Sequence, residues 1–437
     1  MVDTMKPPKE QLLVADEVRG NRATRTDNRL TLCYIADIRS PIAKNWIGHF
    51  VDRGHKVHVI STYRSDDVDS RYTSSLVVPV GFSNLAPLEI HHEHGSGGAV
   101  EVGSRLFTQI RSGSLSPFVT SLRNALAPLT LWGSVLAVRR IIAMIKPDLV
   151  HAMRIPFEGI LSSFLPVEVP LVVSVWGNDF TLQACKNSLV SALTRRSMQR
   201  AHGVLCDCTR DVSLAREYGL SSSRPVLVLP GGGGIDTNLF VPATGEIVAQ
   251  ELLGVHAEST VVINPRGFRG YVRNDTFFRA IPHVLEKQPN AVFACCSMQG
   301  NPVAENWIRR YDISKNVVLL PKVPHPVMAN LFRMALISVS PSLYDGTPNT
   351  LLESMACGCF PIAGDIDSIR EWITHGRNGY LFDPRNHREL AKLILLALSD
   401  KQLLADAKVH NLSLIIERAD SQNVIDSAEQ FYRSILS

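Results

Sequence analysis

The amino-acid sequence predicts an α/β protein with two doubly wound, Rossmann-like parallel sheets, and three features of the chain indicate this fold class. Residues 30–36 and 57–60 are apolar, strand-like runs on either side of residues 41–52, where bulky apolar side chains recur at helical spacing. This order is a βαβ unit, which pairs its strands in parallel. Four consecutive glycines at residues 231–234 mark a change in composition midway along the chain and indicate a link between two halves. The alternation of strands and helices restarts at residues 261–264.

The composition indicates a globular protein with a large core. Of the 437 residues, 45% are hydrophobic and 20% charged, and this length allows about three domains at most. The formal net charge of +4 does not by itself indicate a nucleic-acid partner, although its sign would favour a diphosphate or an anionic membrane. Eight cysteines without the spacing of a disulfide framework indicate reduced thiols, so a cytoplasmic location is the default expectation.

Two stretches of the first half carry no predicted strand or helix. Residues 1–28 alternate acids and bases without an apolar segment, so we expect a disordered tail rather than a signal peptide or a membrane anchor. Residues 91–94 read His-His-Glu-His and precede a glycine-rich run. Adjacent histidines cannot all point at one ion without an irregular backbone, so an exposed loop is favoured over a metal site.

Two interpretations are open for the apolar helix predicted at residues 122–145. Arg139 and Arg140 interrupt it before it reaches the roughly 20 apolar residues that cross a bilayer. A helix packed inside its domain, leading into a strand at residues 149–152, is the favoured interpretation. The alternative is a helix resting on the cytoplasmic membrane face, with Arg123, Arg139 and Arg140 near anionic lipid.

A polar turn follows the apolar strand predicted at residues 171–175. It reads Trp-Gly-Asn-Asp, and its amide Asn178 and carboxylate Asp179 lie at the carboxyl end of the strand. Such a turn can form the edge of a binding site, or Asp179 can simply cap the helix that follows. The remaining elements predicted for the first half are strands at residues 203–207 and 225–229 and a helix at residues 209–218.

The second half contains a basic loop directly after its first strand. Three arginines, Arg266, Arg269 and Arg273, fall within eight residues there, and guanidiniums repel each other unless an anion joins them. We expect an anion-binding loop, with a solvated basic surface as the alternative. The other predicted elements are strands at residues 291–295, 317–320 and 336–340, helices at residues 275–286 and 327–334, and helical segments from residue 388 to the end with a break near residues 419–420.

Two acids flank the start of a helix after the strand at residues 336–340. Asp345 lies in the loop at the carboxyl end of this strand, where open α/β sheets bind ligands, and Glu353 lies on the helix. The free N–H groups of a helix start favour an anion. The alternative is an ordinary helix cap and a solvated glutamate. The predicted anion-binding residues between the two acids are Gly346, Thr347, Pro348, Asn349, Thr350 and Leu351.

This segment resembles the donor-binding signature of retaining glycosyltransferases of family 4, the glycosyl transferases of group 1, which have the GT-B fold. Their pattern has two glutamates separated by seven positions, with Gly and Pro after the first and Ala/Met-x-x-Gly-x-Pro after the second. Aspartate replaces the first glutamate here and shortens its reach by one methylene. The matching residues of this chain are Asp345, Gly346, Pro348, Glu353, Met355, Gly358 and Pro361.

The resemblance implies a domain organisation. It implies an acceptor-binding domain at residues 29–235, a nucleotide-sugar-binding domain at residues 236–415, and a final helix at residues 416–437 that crosses back to the first domain. The Gly-His-Lys-Val turn at residues 54–57 also resembles the first half of the family. The usual glycine-rich first loop is replaced by Asp-Ile-Arg-Ser-Pro at residues 37–41.

The resemblance also implies roles for the candidate residues. Arg266 matches the arginine that grips the donor diphosphate, and Arg273 or Arg269 would replace the lysine that accompanies it in the family. Asp345 would hold sugar hydroxyls and Glu353 the ribose hydroxyls of the donor. Asn178 and Asp179 would orient the acceptor hydroxyl or the transferred sugar.

The resemblance implies a retaining glycosyltransferase, and we expect a hexosyltransferase of polysaccharide biosynthesis. It would move a sugar from a nucleoside diphosphate sugar to a glycan, a lipid-linked acceptor or a small molecule. We expect no cofactor and no metal, because arginines can replace a divalent ion and no Asp-x-Asp motif is placed as a ligand pair. The alternatives are a sugar-nucleotide epimerase or hydrolase of GT-B fold, and a catalytically silent scaffold. The donor base, the sugar, the acceptor and the oligomeric state stay open.

Overall fold

The computed structural model describes residues 29–80, 116–185, 187–242, 249–255 and 259–437. The predicted tail at residues 1–28 and the histidines at residues 91–94 lie outside these ranges. Within them the chain forms two parallel β-sheets, and each sheet separates two clusters of buried apolar side chains. Most of the strands are the short apolar runs that the sequence indicates, and the central ones are buried on both faces, whereas the edge strand at residues 74–77 was not predicted and is partly exposed.

The first sheet has seven parallel strands. They are β1 (Thr31–Ala36), β2 (Lys56–Ser61), β3 (Ser74–Val77), β4 (Leu149–Ala152), β5 (Leu171–Val175), β6 (Gly203–Cys206) and β7 (Val226–Val228). Their order across the sheet is β3-β2-β1-β4-β5-β6-β7. The direction of winding therefore reverses between β1 and β4, which opens a crevice at the carboxyl ends of these strands.

The second sheet repeats this plan with six parallel strands. They are β8 (Val261–Asn264), β9 (Val292–Cys295), β10 (Val317–Leu319), β11 (Ile337–Ser340), β12 (Phe360–Gly364) and β13 (Tyr380–Phe382). Their order is β10-β9-β8-β11-β12-β13, so the winding reverses between β8 and β11. Two doubly wound parallel sheets confirm the predicted fold class.

Helices lie between the strands along the chain, and three more follow the last strand. They are α1 (Pro41–Asp52), α2 (Ser116–Ile145), α3 (Ile160–Ser162), α4 (Ser188–Arg200), α5 (Thr209–Glu217), α6 (Ala249–Leu253), α7 (Asn274–Leu285), α8 (Pro302–Tyr311), α9 (His325–Met334), α10 (Asn349–Ala356), α11 (Asp367–Arg370), α12 (His387–Ser399), α13 (Lys401–Ala419) and α14 (Ser421–Leu436). Gly358 ends α10 with a φ of +95°, a conformation that favours glycine. The sequence predicts one break in the last helical stretch, near residues 419–420, but the structure has a second one at Asp400. Asp400 caps the helix α13 by accepting a hydrogen bond from the N–H of Leu403 at 2.9 Å.

The last helix, α14, packs on the first sheet. Its Tyr432 hydroxyl accepts a hydrogen bond from Trp46 Nε1 at 3.0 Å and lies 2.6 Å from His151 Nδ1. Glu429 forms an ion pair with Arg53 at 2.9 Å. The chain thus leaves the second sheet after α13 and ends against the elements of the first, which ties the two halves together.

Helix α2 has one buried and one exposed side in its described part. Val138 and Ile142 are buried against the first sheet, as the packed-helix interpretation expects. The opposite side exposes Trp132, Leu136, Arg139, Arg140 and Met144. Among the helices of the described ranges, none combines the length and the apolar character needed to span a bilayer.

Candidate active site

The carboxyl edges of the two sheets meet at a pair of glycines. Gly177 follows β5, and a Cβ atom built on it would lie 2.3 Å from the backbone nitrogen of Gly346, which follows β11. A Cβ atom on Gly346 would lie 2.7 Å from the Cα atom of Gly177. The two loops therefore touch backbone to backbone, and a side chain at either position would force them apart. Gly346, a predicted donor-binding residue, is placed at the contact between the domains.

Arg210, on α5, links these two loops. Its Nη1 donates to the backbone carbonyl of Asp345 at 3.0 Å, and its Nη2 donates to the carbonyl of Gly177 at 2.8 Å. The carboxylate of Asp211 holds the same guanidinium at 2.8 Å. Sequence reasoning missed Arg210, because its role depends on two loops that are distant from it in the chain.

Thr347 is also part of the contact between the domains. Its hydroxyl donates to the backbone carbonyl of Asp207 at 2.7 Å and accepts a hydrogen bond from Trp372 Nε1 at 3.3 Å. Close by, the N–H of Thr209 donates to the carboxylate of Glu371 at 2.8 Å. The side chain of Thr347, predicted to bind the donor, therefore holds the first domain in place.

Arg266 and Asp345 form a buried ion pair. Arg266 Nη1 donates to Asp345 Oδ2, and Arg266 Nη2 donates to the hydroxyl of Tyr271 at 3.3 Å. The two charged side chains are only 8% and 12% exposed. Arg266 follows β8 and Asp345 follows β11, which are neighbours in the sheet, so the topology brings the two predicted residues together. The structure thus places Arg266, predicted to bind the diphosphate, beside Asp345, predicted to bind the sugar.

The other two arginines of the basic loop separate. Arg269 is exposed, and its Nη1 donates to the Tyr271 hydroxyl at 3.2 Å, so it lies beside Arg266. Arg273 instead makes a two-pronged pair with Asp275, with distances of 2.7 Å and 2.8 Å, and these hydrogen bonds raise the pKa of Arg273. The expected convergence of three guanidiniums therefore holds for two of them. Of the two candidates for the second cation, the structure brings Arg269 to Arg266 and turns Arg273 to the first turn of α7.

The amino end of α10 offers free backbone donors. Pro348 occupies the cap position without a side-chain hydrogen bond, and the N–H groups of Asn349 and Thr350 have no protein acceptor among the described residues. Leu351 differs, because its side chain is buried in the core and its N–H donates to the carbonyl of Pro348 at 3.0 Å. The helix start thus leaves two N–H groups for an anion, and Leu351 contributes neither its side chain nor its N–H.

Glu353 is a buried carboxyl on α10. It is 6% exposed, and burial raises the pKa of this carboxyl to about 7. No donor in the described part of the chain makes a hydrogen bond to it. Leaving a buried polar group unpaired costs free energy, which the hydroxyl groups of a ligand would recover.

Asp179 is completely buried and fully used by the protein. Its Oδ1 accepts a hydrogen bond from Arg154 Nε at 2.8 Å, and its Oδ2 accepts from the N–H groups of Ile155 and Trp176 at 3.2 Å and 3.1 Å. Burial raises the pKa of Asp179, although Arg154 opposes this. Asp179 therefore fastens the turn after β5 to the turn after β4 rather than capping the helix that follows it, and its expected role toward the acceptor or the transferred sugar stays a prediction. The side-chain oxygen of Asn178 is buried and has no hydrogen-bond partner among the described residues.

Arg154 is the exposed member of the Asp179 pair. Its side chain is 38% exposed and its guanidinium lies 5.8 Å from the ring centre of Trp176. Burial disfavours its charge, but the carboxylates of Asp179 and Glu158 favour it, so the pKa of Arg154 lies above its ordinary value. Arg154 was not predicted from the sequence, where its one signal is its position two residues after the last residue of β4.

Glu158, in the same turn, is buried as well. Burial raises the pKa of its carboxyl to about 8, and its Oε1 accepts a hydrogen bond from the Thr62 hydroxyl at 2.7 Å. The neighbouring Phe157 has a φ of +67°, which is strained for a residue with a side chain. Glu158 was not predicted either, because its burial follows from the irregular turn and not from a motif.

The described residues contain no group of three or more histidine, cysteine or acidic side chains that could hold a metal ion. The His-His-Glu-His stretch at residues 91–94 is not among them. Metal-independent chemistry stays a prediction.

Two family models match the chain, one for each half. The model described as "Glycosyl transferase 4-like domain" matches residues 41–232, and the model described as "Glycosyl transferases group 1" matches residues 253–411. The D-inositol 3-phosphate glycosyltransferases of Thermobispora bispora and Streptomyces bingchenggensis are 28% and 22% identical over 208 and 201 residues. Each alignment covers 44% of this chain, and they cover 48% and 44% of the relatives. The chain thus spans about half the length of the curated relatives it matches.

Solved structures resemble almost the whole chain. Sucrose-phosphate synthase from Thermosynechococcus elongatus superposes with a TM-score of 0.69 at 14% identity, over 93% of this chain and 99% of the other. Anabaena HepE in complex with UDP gives a TM-score of 0.69 at 15% identity, over 93% and 100%. At this level of identity the likeness concerns the fold. With the two family models spanning most of the sequence, the chain belongs to glycosyltransferase family 4, the glycosyl transferases of group 1, and has their GT-B fold.

Proposed function

We propose that this protein transfers a sugar from a nucleoside diphosphate sugar to an acceptor hydroxyl, with retention of configuration at the anomeric carbon. The observation that carries the proposal is the position of the Arg266–Asp345 pair beside the open amino end of α10. A cation, two free N–H groups and an acid are there together at the carboxyl edge of a doubly wound sheet. The unpaired, buried carboxyl of Glu353 on the same helix adds an acceptor for ribose hydroxyls.

The charges of these groups fit the charges that develop in the reaction. When the bond between the anomeric carbon and the phosphate oxygen breaks, the diphosphate gains negative charge and the sugar positive character. Arg266 and the N–H groups of Asn349 and Thr350 would stabilise the diphosphate. A phosphate that shares Arg266 would leave an oxygen of Asp345 to accept from a sugar hydroxyl.

Retention follows in this proposal from attack on the same face of the sugar. The acceptor oxygen forms its bond to the anomeric carbon on the side from which the diphosphate leaves. The proton of the acceptor hydroxyl passes to the departing phosphate oxygen, so atoms and charge balance without a covalent intermediate. Because the arginine and the helix N–H groups supply the stabilisation, we propose that the reaction needs no metal ion.

Uridine is the first donor base to test. HepE, which shares the fold, was crystallised with UDP and with UDP-glucose, so a UDP-hexose is our proposed donor. The curated relatives are named D-inositol 3-phosphate glycosyltransferases, and the alignment covers about half of their length. We therefore propose a hydroxylated acceptor of glycan, lipid-linked or small-molecule type, reached from the cytoplasm.

Calorimetric titration with UDP, GDP and ADP tests the proposal. At least one should bind with saturation, and Arg266→Ala should weaken that binding by about tenfold to a hundredfold, the value of a charge-assisted hydrogen bond. Arg309→Ala, which removes an exposed guanidinium on α8, is the matched control. The products formed from the bound donor with and without acceptors then separate transferase from hydrolase or epimerase. If none of the three nucleotides bound, the protein would be a scaffold and the proposal would be lost.

The exposed side of α2 supports peripheral contact with an anionic membrane. Trp132 and Met144 are 60% and 74% exposed, Arg139 and Arg140 lie between them, and the helix contains no acidic residue. The full chain should cosediment with phosphatidylglycerol vesicles and not with phosphatidylcholine vesicles. Replacing both arginines by serine should abolish this, whereas Arg309→Ser should not. Equal sedimentation of all proteins would contradict membrane contact.

A further inference from the structure

The Asp179–Arg154 pair leaves one end of the arginine unused. Asp179 accepts from Arg154 only through Nε, so the two terminal nitrogens of the guanidinium have no hydrogen-bond partner among the described residues. Asp179 is 0% exposed and takes two further hydrogen bonds from backbone N–H groups, so it cannot turn away from Arg154 without losing them. The pair therefore fixes the guanidinium through Nε and leaves the fork of Nη1 and Nη2 available to a ligand.

The turn that carries Arg154 lies against the loop that pairs with Arg266 in the other domain. The Arg154 guanidinium is 5.8 Å from the ring centre of Trp176, and a Cβ atom built on the next residue, Gly177, would lie 3.2 Å from the carbonyl carbon of Asp345. Asp345 pairs with Arg266, and Arg266 and Arg269 both donate to the Tyr271 hydroxyl, at 3.3 Å and 3.2 Å. Three guanidiniums from two domains therefore lie along the contact between the carboxyl edges of the two sheets, and among the described residues two of them have an aspartate partner. Such a group of like charges is unfavourable unless an anion with several oxygens joins it.

We propose that Arg154 is the contribution of the first domain to binding the donor diphosphate, which it grips together with Arg266 and Arg269 around Tyr271. This inference rests on the proposed function and deepens it. An anion carried by the acceptor is the alternative, and the KM of the acceptor in the variants distinguishes the two. A diphosphate carries enough charge and oxygens for three guanidiniums.

Titrations with UDP and UMP isolate the contribution of the second phosphate. The wild-type protein should bind UDP more tightly than UMP. Arg154→Gln should weaken UDP binding by about tenfold to a hundredfold and leave UMP binding nearly unchanged. Arg154→Lys keeps the charge without the fork and should fall between the two. Arg71→Gln, at an exposed ion pair with Asp52 and Asp69, is the control for losing one positive charge of the first domain.

Removing Arg154 alone leaves the buried carboxylate of Asp179 unpaired, which can unfold the domain. The double variant Arg154→Gln with Asp179→Asn replaces the pair by two neutral side chains of similar size that can still hydrogen bond. It should melt close to the wild type in circular dichroism and lose the preference for UDP over UMP. This variant separates a loss of the ligand contact from a loss of the fold.

The possible results distinguish this inference from the proposed function. If the wild type prefers UDP and the folded double variant keeps the same preference, Arg154 does not touch the diphosphate and the inference is overturned. The same holds if the variants raise only the KM of the acceptor, which would assign Arg154 to the acceptor instead. If the wild type binds no nucleoside diphosphate, the proposed function fails first and this inference with it.

Discussion

Each domain places an aspartate–arginine pair at the carboxyl edge of its sheet, and the two pairs expose different groups. In the first domain Asp179 is completely buried and Arg154 is 38% exposed. In the second domain both partners are shielded, with Arg266 8% and Asp345 12% exposed. Asp179 also binds two backbone N–H groups, whereas the hydrogen bonds of the Asp345 side chain come from Arg266.

The difference shows that the same two residue types serve different purposes. Asp179 has a structural role: both of its carboxylate oxygens accept hydrogen bonds from the protein, and it fixes the position of a partly exposed arginine. Asp345 keeps acceptor capacity, because its side chain has a single charged partner that a phosphate can share. A carboxylate at a strand end is therefore informative about a site only once its hydrogen-bond partners are known.

Asp179→Ala should have the largest effect on stability. It leaves the charge of Arg154 and two backbone N–H groups without an acceptor, and breaking a buried pair typically costs about 3–5 kcal/mol of unfolding free energy. Urea unfolding followed by circular dichroism measures this. Asp275→Ala breaks the partly exposed pair with Arg273 and should cost about 1 kcal/mol or less. Equal losses of unfolding free energy in the two variants would mean that Asp179 has no special structural role.

Asp345→Asn should show the opposite balance, with a large effect on activity and a smaller one on stability. The amide fills the same space and can still accept from Arg266, but it removes the charge that we propose interacts with the sugar. Losing one preorganised electrostatic contact typically costs about 10²–10³ in kcat. Steady-state kinetics with the identified donor gives kcat and KM. If Asp345→Asn kept the kcat/KM of the wild type and lost as much stability as Asp179→Ala, Asp345 would have a structural role instead of a role in activity.

The sequence predicts the second pair much better than the first. Arg266 and Asp345 each follow an apolar strand, and the order of strands in a doubly wound sheet brings β8 and β11 together. The fold class follows from the same alternation. Arg154 and Arg210 could not be predicted, because their roles depend on irregular turns and on how the two domains approach each other. The pairing of Arg273 with Asp275 is local, but the sequence does not show which partner a guanidinium chooses.

Gly177→Ala should break the contact that sets the distance between the two pairs. The new Cβ atom would lie 2.3 Å from the Gly346 nitrogen, and overpacking of this kind typically costs about 1–3 kcal/mol. Because backbone rather than a flexible side chain is in the way, we also expect weaker donor binding. Gly48→Ala, in α1 with nothing within 4 Å of the added methyl group, should be neutral or stabilising. Equal behaviour of both variants in thermal unfolding and UDP titration would show that the domains do not rely on this contact.

Among its described residues each domain also contains one buried glutamate, and the two glutamates should affect stability over different pH ranges. Burial raises the pKa of Glu353 to about 7 and the pKa of Glu158 to about 8. The unfolded chain releases the proton near pH 4.3, as an ordinary glutamate does. Above that pH the folded protein holds more protons at these sites than the unfolded chain, so each glutamate lowers stability as the pH rises toward its folded pKa. Above the folded pKa the loss stays constant.

Glu353→Gln and Glu158→Gln should therefore gain stability relative to the wild type from about pH 4.3 upward. The gain of Glu353→Gln should stop growing near pH 7 and that of Glu158→Gln near pH 8. The two variants should separate mainly between these values, by about 1.4 kcal/mol for one pKa unit. Urea unfolding of both variants between pH 5 and pH 9, roughly the range in which these carboxyls titrate, measures the difference. Parallel curves throughout would mean that the Thr62 hydrogen bond offsets the deeper burial of Glu158, and that the two carboxyls have the same folded pKa.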